Sequence, residues 1–492
     1  MSKFQRSKDI ASLAQEDNQI ALEIYNCLAS SLIKEGKKRP VFETILGIYF
    51  IDLLKFFTGV GYRQREASLT GVQVDKEISQ ISRQWPYILM REIDHGFDLS
   101  QFEWGHKFEK PRRYLIKKIL SKLMVVANFC RGGAVKFIAI SENAMTANRA
   151  ILAFRHRINL DVLDISDLRK IPIPDLDDQL DNLDKVIREI MTITEYPFDA
   201  NTACEMMRNH IKANCVDGHP PKLSQTDILI AGSGCAIENR LMASVARHHG
   251  MRVVNIFHGG SYGVQDKPTF NQGEKLMATD LAVFGKIQQF PGDVINFING
   301  NYDKVAPVAP GSVITHPQKG DRLMYVPTSL RGENKRYGPF EDMADRQYVK
   351  LWSMMRDMFG SDLMIKLHPK NNDTADIAPP IITENFENCL DKADTFIFDY
   401  VSTAFTLAAS TNKPIVYLDN GLQNFTKDGL KAIKSRCIYY DIRLKLPNSF
   451  DDIIKDAKSL MFNHDYVDKF VSAEGQASLD EELFQSLTAS TF

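Results

Sequence analysis

Apolar residues recur at helical spacing through the first quarter of the chain. ALEIYNCLASSLIKEG, VFETILGIYFIDLLKFFTGVGY and RRYLIKKILSKLMVVANFC all show the pattern, so residues 1–125 are expected to be mostly helical. Beyond them the period shortens. KFIAISENAMTANRAILAFRHRINLDVLDIS, residues 136–166, reads as a short strand, an intervening segment and a second short strand. TDILIAGSGCAIENRLMASVARHHGMRVVNIFHGG then reads as a βαβ unit. It has a strand over Asp227–Ala231, a small-residue turn at Gly232, Ser233 and Gly234, a helix through Arg247 and a strand ending at His258. A right-handed crossover places the Gly232 turn and the His258 loop at one sheet edge. ATDLAVFGK, residues 278–286, adds another strand.

Around residues 300–320, NYDKVAPVAPGSVITHPQKGDR is rich in proline and glycine and weakly periodic, which predicts a linker. A second α/β pattern follows. DRLMYVPTSLRG is strand and turn, YVKLWSMMRDMFG is helix, DLMIKLHPKNN is strand and loop, and ADTFIFDYVSTAFTLAASTNKPIVYLDN is strand, turn, helix and strand. From Ser449 onward the chain reads as helical and acidic. The expected organisation is a helical region over 1–125, an α/β domain over 126–310, a second over 311–475 and a helical tail over 476–492.

Composition narrows the classes. A chain of 492 residues exceeds one ordinary core, and 44% apolar with 25% charged residues matches a globular protein. With 60 basic against 62 acidic residues there is no cationic surplus of the kind that nucleic acid demands, so nucleic acid is not expected as a partner. The seven cysteines, at 27, 130, 204, 215, 235, 389 and 437, form no C-x-x-C pair and read as reduced thiols. MSKFQRSKDIASLAQEDNQ lacks the apolar centre of a signal peptide, so a cytoplasmic location is expected. The most apolar stretch, 41–62, is interrupted by Glu43, Asp52 and Lys55. It is expected to be a buried helix rather than a membrane span.

Candidate chemistry gathers at strand ends. In the second α/β pattern Pro327, Thr328 and Ser329 follow LMYV, His368 and Pro369 follow MIKL, and Asp399, Tyr400, Ser402 and Thr403 follow TFIF. Parallel strands would present all three loops to one crevice. Ser402 and Thr403 precede a helix, where free N–H groups favour a phosphate, and His368 could add a hydrogen bond or a charge. HP, PTS and Ser-Thr each occur as ordinary turns and caps, so their joint occurrence at three strand ends carries the expectation. In the first pattern, FHGGSYG leaves a strand through a histidine and closely spaced glycines. That suits either a tight turn or a loop that approaches a ligand.

YVPTS, KLHPK, DTFIFDYVSTAF and KPIVYLD together resemble the C-terminal nucleotide-binding domain of GT-B glycosyltransferases of bacterial surface polysaccharides. The HP and Ser/Thr-pair motifs are similar to those of capsule Kdo transferases and bacterial polysialyltransferases, and to the HP and DYSS motifs of CDP-glycerol glycerophosphotransferases. FHGGSYG, followed by Glu274 and a strand ending at Gly285, resembles the HG loop of their N-terminal domain. The likeness covers about residues 225–420. It departs at Asp-Tyr-Val-Ser-Thr, one residue longer than the Asp-Tyr-Ser-Ser of the teichoic-acid enzymes.

The resemblance implies an α/β fold of the GT-B type, two Rossmann-like domains facing a cleft, preceded by the helical region. It implies that His368, Pro369, Ser402, Thr403, Thr328, Ser329 and Lys366 bind the donor's nucleotide and phosphate. His258 is implied as general base, with Glu274 and Asp266 as rivals and Glu238 a weaker one. Gly259, Gly260, Ser261, Tyr262, Gly263, Gly232, Ser233 and Glu238 would line the acceptor side. The implied activity is metal-independent inverting transfer from a nucleotide-sugar, with a CMP-linked donor such as CMP-Kdo favoured, to a capsule or lipopolysaccharide glycan or glycolipid. No cofactor beyond the nucleotide-sugar is expected, and peripheral association with the inner membrane or an assembly complex fits such an acceptor. Competing expectations are a CDP-polyol phosphotransferase, a non-hydrolysing sugar-nucleotide epimerase and a non-catalytic carbohydrate-binding protein.

Overall fold

The computed structural model describes residues 22–51, 136–140, 159–163, 173–194, 200–214, 223–232, 237–256, 263–266, 275–284, 305–308, 322–327, 355–367, 381–442, 450–460 and 465–470. Positions 226, 358, 383, 385 and 420–422 are excepted, and 19, 53, 54, 57 and 463 are included. Two six-stranded sheets organise these residues, and all their strand pairs are parallel. The first contains β1 (Lys136–Ile140), β2 (Asn159–Leu163), β3 (Ile228–Ala231), β4 (Arg252–Ile256), β5 (Asp280–Phe284) and β6 (Val305–Val308). Their order is β2-β1-β3-β4-β5-β6. The second contains β7 (Leu323–Val326), β8 (Leu363–Lys366), β9 (Ile381–Ile382), β10 (Thr395–Phe398), β11 (Ile415–Asp419) and β12 (Ile438–Asp441), ordered β12-β11-β10-β7-β8-β9. Central strands such as ILIA, LMYV and TFIF are buried along their whole length, as parallel strands covered on both faces must be.

Helices cover the sheets. They include α1 (Leu176–Thr194), α2 (Ala200–Asn214), α3 (Ile237–His248), α4 (Thr403–Ala409), α5 (Lys427–Arg436), α6 (Phe450–Ser459) and α7 (Asp465–Phe470). The βαβ unit read from the sequence is β3-α3-β4. Helix α3 ends in a Schellman turn, with Gly250 at φ +72°, Met251 N–H on the Ala246 carbonyl (2.9 Å) and Gly250 N–H on that of Arg247 (2.9 Å). The described residues of β4 run to Ile256, and His258 lies outside the described residues. The stretch expected to be a linker contributes β6, with Pro307 inside it. β6 is the edge strand beside β5, the place where a sheet tolerates a residue without an N–H.

The described residues of 45–57 bear out the expectation of a buried helix. Ile45, Leu46, Ile48, Tyr49, Phe50, Ile51, Leu53, Leu54 and Phe57 are each at most 2% exposed, and they share one core with Leu180, Ile187, Met242 and Ala246 of the first α/β unit. Each such side chain contributes about 1.5–3 kcal/mol by leaving water. Arg240 of α3 is buried among them and donates Nε–H to the Ile48 carbonyl at 2.6 Å. The described N-terminal residues therefore pack as a layer of the first unit. No helix among the described residues is long and apolar enough to cross a membrane. The expected helix near residues 113–130 and the tail 476–492 lie outside the described residues.

Alternation along β10 distributes the second core. Phe396 and Phe398 pack with Phe405 of α4, Ile433 of α5 and Tyr466 of α7, while Ile397 faces the opposite side with Tyr325, Ile365 and Ile453 and Ile454 of α6. Arg436 closes the layer. Its guanidinium donates to the carbonyls of Ala409 (2.9 Å), Thr411 (2.6 Å) and Lys413 (3.0 Å), which lie at and beyond the end of α4.

Candidate functional site

Strand order locates the crevice. From β7 the second sheet runs outward through β8 and β9, then returns to the other flank of β7 with β10 and continues to β11 and β12. The topological switch therefore lies between β7 and β10, where the loops leaving the two strand ends must diverge and open a crevice. Phe398 pairs with Val326, so the loops beginning at Pro327 and at Asp399 start side by side, and β8 with its continuation toward His368 is the next strand. The first sheet switches between β1 and β3, which puts the buried Gly232 at that point.

Asp399 is fully buried and accepts a hydrogen bond from the Tyr325 hydroxyl, which ties the end of β10 to β7. Val401 follows, completely buried. Ser402 is the N-cap of α4, its Oγ accepting from Phe405 N–H at 3.5 Å, and its carbonyl accepts from the Thr406 hydroxyl at 3.2 Å. Ser402 and Thr403 are half-buried at the mouth of this turn. The cap uses the acceptor side of the Ser402 hydroxyl and leaves its proton for another partner. Helix α4 is only seven residues long, so an anion here would meet hydroxyls and local N–H groups rather than a long helix dipole.

Lys366 closes β8 and is 3% exposed. Its ammonium donates to the Leu367 carbonyl, and among the described residues no carboxylate pairs with it. Burial pushes its pKa below the ordinary lysine value, and the neighbouring Cys389 thiol opposes that shift. The thiol itself is pushed up by the same burial.

The end of the glycine loop reaches across to the second sheet. Gly263 adopts φ +75°, a conformation open to glycine at little cost. Thr426, the N-cap of α5, donates its N–H to the Val264 carbonyl at 2.9 Å and its hydroxyl to that of Gly263 at 3.0 Å. Asp266 N–H donates to the Asn424 carbonyl at 2.8 Å, and Gln265 pairs with Phe425 in an antiparallel bridge. Val264 is fully buried in a core to which both sheets contribute, Ile230 and Val254 from the first and Phe396 and Phe398 from the second, whereas the Asp266 side chain is exposed. Gln265, 2% exposed, donates from Nε2 to the Val401 carbonyl at 3.4 Å. Thus the loop that carries FHGGSYG ends in contact with the residue immediately before Ser402.

His258, Gly259, Gly260, Ser261, Tyr262, Ser233, Glu274, Thr328, Ser329, His368 and Pro369 lie outside the described residues, as does the side chain of Glu238, whose backbone is in α3. Of the remaining candidates, Gly263 and Asp266 lie in the seam where 263–266 pairs with 424–426, Ser402 and Thr403 follow Val401, to which Gln265 of that seam bonds, Lys366 is buried at the end of β8, and Gly232 marks the first switch. Sequence reasoning missed Gln265, Gln423, Thr426 and Gly429. The available signal was Thr-x-x-Gly opening α5, a cap and a close-approach glycine three residues apart. Among the described residues no three histidine, cysteine or acidic side chains cluster as metal ligands would.

The geometry defines a protein of two parallel α/β sheets, with a loop of one docked beside the switch-point turn of the other. No family model matches the chain, and no curated protein matches its sequence. Solved structures similar to it include MurG of Acinetobacter baumannii, at 10% identity and a TM-score of 0.33, covering 73% of this chain and 98% of that one. A TM-score of 0.33 assigns neither fold nor function.

Proposed function

We propose that the chain is a GT-B glycosyltransferase that moves a sugar from a nucleotide-activated, CMP-linked donor to a bacterial surface glycan. The observation that carries this reading is the junction just described, where the β4 loop bonds to the residue preceding Ser402 at the switch point of the second sheet. Such a site brings residues of both units to one place, as a reaction between two bound substrates requires. The Ser402 and Thr403 hydroxyls, with Thr328, Ser329, His368 and Pro369 from neighbouring strand ends, would hold the donor's phosphate. An arriving phosphate would also supply the counter-charge for Lys366.

His258 would remove the proton from the acceptor hydroxyl as that oxygen attacks the anomeric carbon. The sugar–phosphate bond then breaks and its electron pair leaves with the nucleotide, with inversion at carbon. Asp266 and Glu274 are the alternative bases, and of these Asp266 is an exposed carboxylate beside the seam. The loop glycines would let backbone approach the sugar closely. The acceptor, a capsule or lipopolysaccharide glycan, would be met at the cytoplasmic face of the membrane.

Incubation with CMP-Kdo, CMP-sialic acid, CDP-glycerol and UDP-sugars, with and without glycan acceptors, tests the reading through nucleotide release. Acceptor-dependent CMP release is expected. Turnover of CDP-glycerol alone would make the protein a polyol phosphotransferase, an epimerised UDP-sugar formed without acceptor and without nucleotide release would make it an epimerase, and no nucleotide release from any donor would overturn the proposal.

A further inference from the structure

We propose that Gln265 and Gln423 clamp the peptide groups of Val401, so that the glycine loop of the first sheet sets the backbone of the Ser402–Thr403 turn. Both glutamines are thereby positioning residues for the crevice. Val401 N–H donates to Gln423 Oε1 at 3.1 Å, and the Val401 carbonyl accepts from Gln265 Nε2 at 3.4 Å. Val401 itself fixes which end of each amide is which, because its N–H requires an acceptor and its carbonyl a donor. The Tyr417 hydroxyl, 2.6 Å from the same Gln423 oxygen, agrees with that assignment. Gln265 is 136 residues from Val401 and Gln423 only 22, so one arm of the clamp is supplied by each unit.

The two arms ride on one paired segment. Gln265 bridges Phe425, and the bonds from Asp266 to Asn424 and from Thr426 to Val264 flank that bridge. Displacement of the 263–266 loop therefore moves both amides relative to β10. Packing alone does not account for these residues. Gln265 and Gln423 are 2% and 5% exposed, and Gln265 Oε1 and Gln423 Nε2 are buried with no hydrogen-bond partner among the described residues. Methionine would occupy similar volume without an unpaired amide end of its own, but it would leave a buried Val401 peptide group without its partner, so what the amides add is a fixed direction for that peptide. Val401 is the residue before the cap, and holding both of its peptide groups determines where the Ser402 and Thr403 hydroxyls point.

Gln265→Met in the full chain tests the clamp, read by hydrogen exchange of the ligand-free protein and by calorimetric titration with CMP and CDP. The titration arm rests on the proposed transferase reading; the exchange arm does not. Faster exchange over residues 401–406 is expected, with β3 and β11 unchanged. Affinity for CMP or CDP should fall roughly five- to tenfold, the worth of one neutral hydrogen bond. Unchanged exchange at 401–406 overturns the clamp, and faster exchange with unchanged affinity overturns its role at the crevice. A parent protein that binds neither nucleotide sinks the transferase reading while the exchange result still decides the clamp. If Gln265→Met does not fold, Gln423→Met puts the same question to the Val401 N–H.

Discussion

Gly429→Ala is the sharpest perturbation of the seam between the sheets. A Cβ on residue 429 would lie 2.4 Å from the Val264 carbonyl oxygen and 2.9 Å from the Val264 Cα, both backbone atoms that cannot rotate away. Restoring an ordinary contact of 3.4 Å requires the start of α5 and the 263–266 loop to part by about 1 Å. The Thr426 N–H to Val264 bond, now 2.9 Å, would then exceed the hydrogen-bond limit, and the bonds from Thr426 to Gly263 and from Asp266 to Asn424 would strain with it. Losing the three bonds at about 1 kcal/mol each, against a helix-propensity gain of about 1 kcal/mol for alanine in α5, leaves a net loss of roughly 2 kcal/mol. Thermal melting reads the loss, and hydrogen exchange over 263–266 and 423–430 places it at the seam. A variant as stable as the parent, or more stable as helix propensity alone would make it, would refute the close approach.

Other expectations follow from the second sheet and the crevice. Arg436→Met should destabilise by several kcal/mol, because buried carbonyls beyond α4 lose a charged donor. A melting temperature within experimental error of the parent would show that the cap is dispensable. Lys366→Met should be more stable than the parent at neutral pH yet weaker in nucleotide binding. Because burial lowers the lysine pKa, the unfolded chain binds more protons between the folded pKa and the ordinary lysine value. The parent's stability should therefore climb with pH across that window and the gap between the two proteins close, and a gap independent of pH would remove the desolvation argument. His258→Ala should lower kcat by roughly 10²- to 10⁴-fold with donor affinity nearly intact, whereas His368→Ala should weaken donor affinity roughly ten- to hundredfold. Loss of donor affinity in the His258 variant would instead make that histidine a phosphate ligand.

Fold class was readable because parallel strands covered on both faces are short continuous apolar runs, and ILIA, RVVNI, LMYV, TFIF and IVYLD stand out as such. The buried character of the described residues of 45–57 was readable too, since Asp52 and Lys55 interrupt the apolar run that a bilayer span needs. β6 was not readable, because Pro307 makes an edge strand look like a linker. Strand order was also hidden: nothing local in LMYV or TFIF says that β7 and β10 are neighbours. The three polar strand ends were visible, but the seam that joins the two sheets was not. Gln265, Gln423 and Gly429 take their meaning from partners in distant segments, and each alone looks like an ordinary loop or helix residue.

Hydrogen exchange of the parent protein with and without CMP, CDP and UDP tests most directly whether the crevice between β7 and β10, with the docked glycine loop, is the donor site. Protection is expected with a cytidine nucleotide in peptides covering 399–406 and 257–266 together, because one ligand would touch the turn and the loop that is bonded to it. Protection confined to any other part of the chain, or no change with any of the three nucleotides, would contradict the assignment.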